Sequence, residues 1–299
     1  MENTVFYGFR GSMIFPKQIS MYNIGLENNS ECKNKIFNDF FEKLEKEKKL
    51  TSRYQNRVYY MIFKNKYENI IHCQLARRKK FYKRELKEND IVEMIDDDYP
   101  YVNIFINLDS QMFFIESKTY VYQNYNTCSR VISNIINNNL NIDGITIVLE
   151  NISDEQDFWK YFNGETKVYK LVFNLVYPNI FKAADAASNF VKEAQEVTGA
   201  DNLEITFENS KGDLKVNKER EGINSFVKYT SAGGGKWSIH IKNENNRKVK
   251  ITSCQSSVKE TLPVSNRDLN EKKLTIDQLT VLKYNFDKIE TVERFKKHD

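Results

Sequence analysis

Four prolines and eleven glycines in 299 residues are too few for a flexible linker or a low-complexity polymer, so the chain is expected to fold. Cysteine is also sparse. Cys32, Cys73, Cys128 and Cys254 stand far apart, with neither a CxxC pair nor a zinc-like spacing. They read as reduced thiols rather than a disulfide framework, which fits a cytoplasmic setting. Histidine is scarcer still, with only His72, His240 and His298. His72 is followed by Cys73 in a strand-like stretch, where neighbours point to opposite faces and cannot form a nucleophile–base pair. His240, near a glycine-rich turn, reads either as a base-contacting residue or as an ordinary surface histidine. No run of about 18 apolar residues occurs, so no membrane span is expected. The opening MENTVFYGFRGSMIF has neither a basic start nor a continuous apolar core, so no secretory leader is expected. GxSxG, Walker-type, HExxH and Rossmann patterns are all missing. Hydrolytic or metal-dependent enzymology is therefore not written in any strong form.

What the chain does have is aromatic bulk. Twenty Phe and seventeen Tyr bury much area per residue and support a core despite a hydrophobic fraction of 40%. The length suits one large domain or two ordinary ones. A net charge of +4 permits a polyanionic partner without demanding one, because phosphate binding depends on local clusters.

Thr4 to Phe15 alternates as a strand closed by Pro16, and Ser30 to Leu50 carries Ile36, Phe37, Phe40, Phe41 and Leu44 at helical spacing. Arg57–Lys64 and Ile70–Leu75 read as strands. Tyr101 to Tyr122 reads as a hairpin turning at Leu108–Gln111. A helix with Val131, Ile132, Ile135, Ile136 and Leu140 follows, then Asp143-Gly144 turns into a strand at Ile145–Leu149. Ser153–Gln156 has the form of a capping box before Phe158, Trp159 and Phe162. Beyond Gly164 the order is a strand at Val168–Val176, a helix at Ala183–Val197, a strand at Leu203–Phe207 and a helix at Lys218–Tyr229. Strands at Trp237–Ile241 and Lys248–Thr252 close it. This β-α-β-α-β-β order predicts a ferredoxin-like sandwich. The expected fold is α+β, with two packed modules of mainly antiparallel sheet and helices on one face. The modules would span 1–164, with 101–122 as central hairpin, and 165–265. A charged helix, Ile276–Phe295, lies in a C-terminal extension (266–299) and is a candidate docking element for a partner protein or a homo-oligomer.

Three stretches invite a functional reading. Arg77, Arg78, Lys79, Lys80, Lys83 and Arg84 interleave with Phe81 and Tyr82, a pattern that tracks phosphates and stacks on bases, or equally guards a strand edge. The acidic run from Glu93 to Asp98 follows; it could neutralise the basic stretch in cis or bind a hard cation, but a loop of solvated carboxylates is the expectation. Asp109, Glu116 and Lys118 have the residue types of a PD-(D/E)xK nuclease, in which carboxylates hold Mg²⁺ and the Lys steadies developing charge. Glu116 and Lys118 share one strand face, while Asp109 falls in the presumed turn, where Asp is favoured for its hydrogen bonding alone. Finally, Ser231–Gly235 followed by Lys236 and Trp237 offers exposed backbone N–H groups, a charge and a stacking surface. It could cradle phosphate, or it could be a helix end running into a turn. Lys242, Arg247, Lys248 and Lys250 lie close by.

Pro100 to Glu116, Tyr177-Pro178-Asn179, the small-Gly-Gly segment before a strand and Thr252-Ser253 give residues 100–265 an order that resembles an uncharacterised family of bacterial proteins often met among phage-defence genes. The resemblance implies an anti-phage setting and no assigned reaction. The late glycine turn also resembles that of CRISPR-type RNA-processing proteins with paired ferredoxin-like domains. The expectation is a cytoplasmic, nucleic-acid-binding component of a bacterial defence system, without autonomous catalysis, taking RNA or DNA, with no cofactor and no membrane. The two alternatives are a Mg²⁺-dependent nuclease and a protein-interaction or sensor subunit.

Overall fold

A computed structural model describes residues 3–15, 30–122, 124–140, 142, 144–164, 166–176, 186–200, 202–242, 247–271 and 273–295. Pro16, Asp143, Tyr177-Pro178-Asn179, the start of the helix expected from Ala183, the turn at 243–246 and His298 lie outside them. Among the described residues there are fourteen strands and seven helices, in a mixed α+β fold whose strand ladders are antiparallel.

The first sheet is built on β1 (Thr4–Ile14), an eleven-residue strand that is nearly all buried. One edge of β1 pairs with β8 (Met112–Glu116). The other is shared between β14 (Lys259–Leu262), which takes Thr4 to Tyr7, and β9 (Thr146–Asn151), which takes Phe9 to Ile14. β8 continues to β7 (Tyr101–Asn107), β4 (Ile70–Arg77), β3 (Arg57–Tyr67) and β2 (Lys49–Tyr54). The hairpin at the centre is β7–β8, registered Ile104 to Ile115 and Asn107 to Met112. Gln111 takes φ 54° in its turn.

Because strand side chains alternate, this sheet has two apolar faces. One carries Phe9, Met13, Met61, Cys73, Leu75, Ile104, Phe113 and Ile115. Helices α1 (Ser30–Glu47) and α2 (Tyr125–Asn139) cover it with Phe37, Phe41 and Leu44, and with Val131, Ile132 and Ile135. Phe37 and Phe41 meet Phe113 edge-on or tilted, at 5.9 and 6.4 Å. Truncating either to Ala is expected to cost about 3–5 kcal/mol. The other face presents Phe6, Phe105 and Phe114 to Leu282, Phe286 and Ile289 of the last helix, α7 (Ile276–Phe295). Phe114 and Phe286 stack at 4.1 Å. The helix read as a docking element therefore buries its apolar side on its own sheet.

Helix α1 stops at Glu47 rather than Leu50. Lys48 takes φ 64° while its N–H still donates to Leu44 O at 2.9 Å, a left-handed cap that starts β2 at Lys49.

The second sheet has the order β11 (Asn202–Glu208), β10 (Val168–Val176), β12 (Gly235–Lys242), β13 (Lys248–Thr252). Three helices cover one of its faces: α3 (Glu155–Trp159), α4 (Ala186–Thr198) and α5 (Glu221–Tyr229). Leu171, Phe173, Trp237 and Ile239 meet Phe158, Val191 and Val227 there. The element order is the expected one, but the pairing is not that of a split β-α-β unit. Strands β10 and β11, which flank α4, are adjacent and antiparallel, with no strand inserted between them.

The turn Thr230–Gly234 lies where the two sheets meet and is buried throughout. A Cβ on Gly233 (φ 90°) would stand 2.7 Å from Cβ of Arg10 on β1, so glycine is required by both conformation and space.

Candidate functional site

The glycine turn is packing rather than a cradle. Its residues are enclosed, and Ser231 O accepts from the Ser153 N–H at 3.0 Å. Trp237, expected as a stacking surface, is 1% exposed and meets Phe158 edge-on at 5.3 Å. Alternation along β12 sends Trp237 into the core and its neighbour Lys236 to the other face, where Lys236 Nζ pairs with Glu150 Oε2 at 2.7 Å.

The basic stretch forms β5 (Lys79–Lys87), which pairs with β6 (Asp90–Asp98) in an isolated two-stranded ribbon. Arg78 donates from Nε to both carboxylate oxygens of Asp97 at 3.0 Å and from Nη2 to Oδ2 at 2.7 Å. This hydrogen bonding raises the Arg78 pKa and lowers that of Asp97. Arg84 Nε reaches Glu93 Oε1 at 2.9 Å and Lys83 Nζ reaches Glu85 Oε1 at 2.6 Å. Lys79 and Lys80 stand opposite Asp98 and Asp97. Arg77, at the end of β4, lies over the Tyr122 ring at 5.6 Å. From Arg77 to Asp98 seven cations meet seven carboxylates, so the ribbon offers a polyanion no net attraction.

The nuclease-like trio is divided. Asp109 sits in the β7–β8 turn, accepting from Asn69 Nδ2 at 2.5 Å, at the opposite end of β8 from Glu116. Glu116 and Lys118 do meet. Their ion pair spans 2.8 Å, and each side chain is at most 5% exposed. Glu116 Oε2 also accepts from the backbone N–H and Nδ2 of Asn103, both at 2.8 Å. Asn103 Oδ1 in turn lies 3.1 Å from His72 Nε2 and accepts from Gln74 Nε2 at 3.3 Å. Burial, the largest influence, holds His72 down at about 4, so its ring is neutral and donates from Nε2. Glu116 and Lys118 line an open cleft of about 490 Å³ with Tyr7, Tyr122, Tyr125, Thr252 and Cys254. Glu116 is the only carboxylate among its described lining residues, and one of its oxygens already accepts three donors. That donor set does not fit Mg²⁺, which asks for open oxygen ligands in octahedral geometry. Burial pushes the Cys73, Cys128 and Cys254 thiols up.

The cluster that sequence reading largely missed is the face of the second sheet opposite its helices. Register places Lys170 opposite His240, His240 opposite Lys250, and Lys242 opposite Lys248. Residues opposite one another share a face, so four lysines and a histidine stand together, with Ser238 and Thr252 one row along. Among the described residues no helix covers them. A bulge between Val168 and Lys170 turns Tyr169 out of strict alternation. Lys242 and Lys248 lie over its ring, at 5.6 and 5.4 Å. Burial, and then the charges of Lys250 and Lys170, depress the His240 pKa. The carboxylates of this face, Glu204 and Glu208, lie on edge strand β11, with Glu208 Oε2 3.8 Å from Lys170 Nζ.

Fold and site together define a mixed α+β protein whose second sheet has a lysine-rich face that no helix among the described residues covers. The family described as a domain of unknown function (DUF4747) matches residues 17–280, and the chain belongs to it. No curated protein and no solved structure matches the chain. No helix among the described residues is long and apolar enough to cross a membrane.

Proposed function

We propose that the chain binds single-stranded nucleic acid on the uncovered face of the second sheet. Lys170, Lys242, Lys248 and Lys250 contact phosphates, and the Tyr169 ring becomes available for stacking once Lys242 and Lys248 turn from it to the phosphates. The observation that carries this reading is the pairing of like charge. Lys242 stands opposite Lys248 on the neighbouring antiparallel strand, an arrangement that costs stability in the free protein. An anionic ligand converts that cost into attraction. A sheet face also suits an extended strand better than a duplex, because splayed bases can lie on it while the backbone follows the cations. Lys236 belongs to the same face and contributes once its Glu150 contact opens. The bacterial anti-phage setting rests on the family resemblance alone, and loss of plaque protection in cells carrying the lysine-face variant would support it.

The direct test is titration of the purified chain with labelled single-stranded RNA and DNA. Replacing Lys242, Lys248 and Lys250 by Gln is expected to weaken binding to every sequence. Replacing Arg84 and Lys83 by Gln, on the neutral ribbon, is expected to have little effect. The opposite ranking would overturn the assignment.

A further inference from the structure

Among the described residues the β5–β6 ribbon pairs with no other strand. It continues the β4–β7 pair beyond the edge of the first sheet, with Arg77 N–H donating to Pro100 O at 3.1 Å at its base. Nine residues per strand make it roughly 30 Å long. Every residue of the two strands except Glu85 and Asp97 is exposed. Two-stranded hairpins standing alone in water are marginal, so an arm of this length calls for a contact.

The register sorts its side chains into two unlike faces. On one, Tyr82 is opposite Ile95 and Leu86 is opposite Ile91, with Arg84 opposite Glu93 between them and Lys80 opposite Asp97 at the base. Those four apolar residues are 73, 60, 77 and 62% exposed, in the order just given. The other face joins Phe81 to Asp96, Lys83 to Met94 and Glu85 to Val92, so no apolar residue there stands opposite another. The first face is thus a ladder of four rows running charged, apolar, charged, apolar, and each charged row holds one cation on β5 and one anion on β6.

We propose that this face is a self-association surface, on which the ribbons of two copies stack face to face about a two-fold axis parallel to their strands. That operator lays β5 of each copy over β6 of the other with rows aligned. Arg84 then faces the partner's Glu93, Lys80 faces the partner's Asp97, and Tyr82 and Leu86 face the partner's Ile95 and Ile91. A two-fold axis across the strands instead puts β5 over β5. Centred on the Arg84 row it sets arginine on arginine, and centred on the Tyr82 row it sets Lys80 on Arg84. Edge-to-edge pairing about a two-fold is opposed as well, because β5 beside β5 juxtaposes lysines and arginines while β6 beside β6 juxtaposes carboxylates. Of these isologous arrangements the charges favour one. Two faces of roughly 500 Å² each bury about 1,000 Å² together, the size of a weak or transient contact.

Sedimentation velocity of the full chain, treated with nuclease, tests this over a concentration series up to about 0.1 mM. The expected result is a monomer–dimer equilibrium. Leu86→Lys, an exposed change that leaves the fold intact, is expected to weaken the dimer by about 30-fold or more. Arg84→Glu and Glu93→Arg should each dissociate it when alone. An equimolar mixture of those two variants should restore it, because each supplies the charge that the other lacks. Monomeric wild type, a dimer indifferent to Leu86→Lys, a dimer that vanishes with nuclease treatment, or failure of the mixture to re-associate would each overturn the proposal.

Discussion

Replacing Lys170, Lys242, Lys248 and Lys250 together by Gln is the most revealing perturbation of this protein. If each lysine neutralises one phosphate of a single strand, each adds about −0.7 to the slope of log affinity against log salt, and the four together about −2.8. Between 50 and 200 mM salt the wild type should then lose about 50-fold in affinity, and the quadruple variant should lose almost none through this face. Fluorescence anisotropy with a labelled 12–16-nucleotide strand, a length of about one binding site, measures both slopes directly. The same substitutions relieve the opposition of Lys242 and Lys248 across β12 and β13, worth roughly 0.2–1 kcal/mol. They also remove the two cations over Tyr169 and the Lys170–Glu208 ion pair, which are of similar size. The urea midpoint should therefore stay nearly unchanged while binding falls, an outcome that general disruption of the sheet cannot mimic. A slope unchanged in the variant, or weaker binding accompanied by a much lower urea midpoint, would refute the reasoning.

Three further outcomes follow from buried groups. His72 is held at about 4 in the folded chain against 6.5 unfolded, so the unfolded state binds the extra proton first as pH falls. Stability should be undiminished by this group above pH 6.5 and decline by on the order of 3 kcal/mol as pH falls from 6.5 to 4, visible as a falling urea midpoint that His72→Gln flattens. Lys118→Met leaves the Glu116 carboxylate buried without its cation and is expected to cost about 3–5 kcal/mol in denaturant unfolding, whereas an unchanged midpoint would show that the pair is dispensable. Gly233→Ala combines φ 90° with a Cβ 2.7 Å from Arg10 Cβ, so its thermal midpoint should drop by an amount equivalent to about 2–4 kcal/mol, while Gly222→Ala, where a Cβ meets nothing within 4 Å, should be tolerated.

Much of the element list was legible along the chain because periodicity is a local signal. Strand Val168–Val176, strand Lys248–Thr252 and helix Ile276–Phe295 have the bounds that their alternation and helical spacing indicate. The short strand Lys259–Leu262 and helix α6 (Asn266–Glu271) carry too few residues for a period to emerge, and neither was anticipated. The sites were far less legible. Tyr169 belongs to the lysine face only because a bulge breaks the alternation that would otherwise have aimed it at the core. The cations at 77–84 look like a polyanion tract until strand pairing lays Asp96, Asp97 and Asp98 against them. Asp109 and Glu116, close in sequence, end at opposite ends of one strand, since an extended chain separates residues more than any other conformation.

By itself the sequence determined that this chain folds as α+β around an aromatic core, with mainly antiparallel strands and without a long apolar helix. Hydrophobic period and composition are properties of short windows, and they survive whatever the windows later pack against. Which charges are neutralised, which tryptophan is buried and which sheet face stays open were decided by the tertiary structure alone. Those outcomes depend on register between strands as distant in sequence as Lys170 and His240, and on the joint at Gly233 that holds the second sheet against β1.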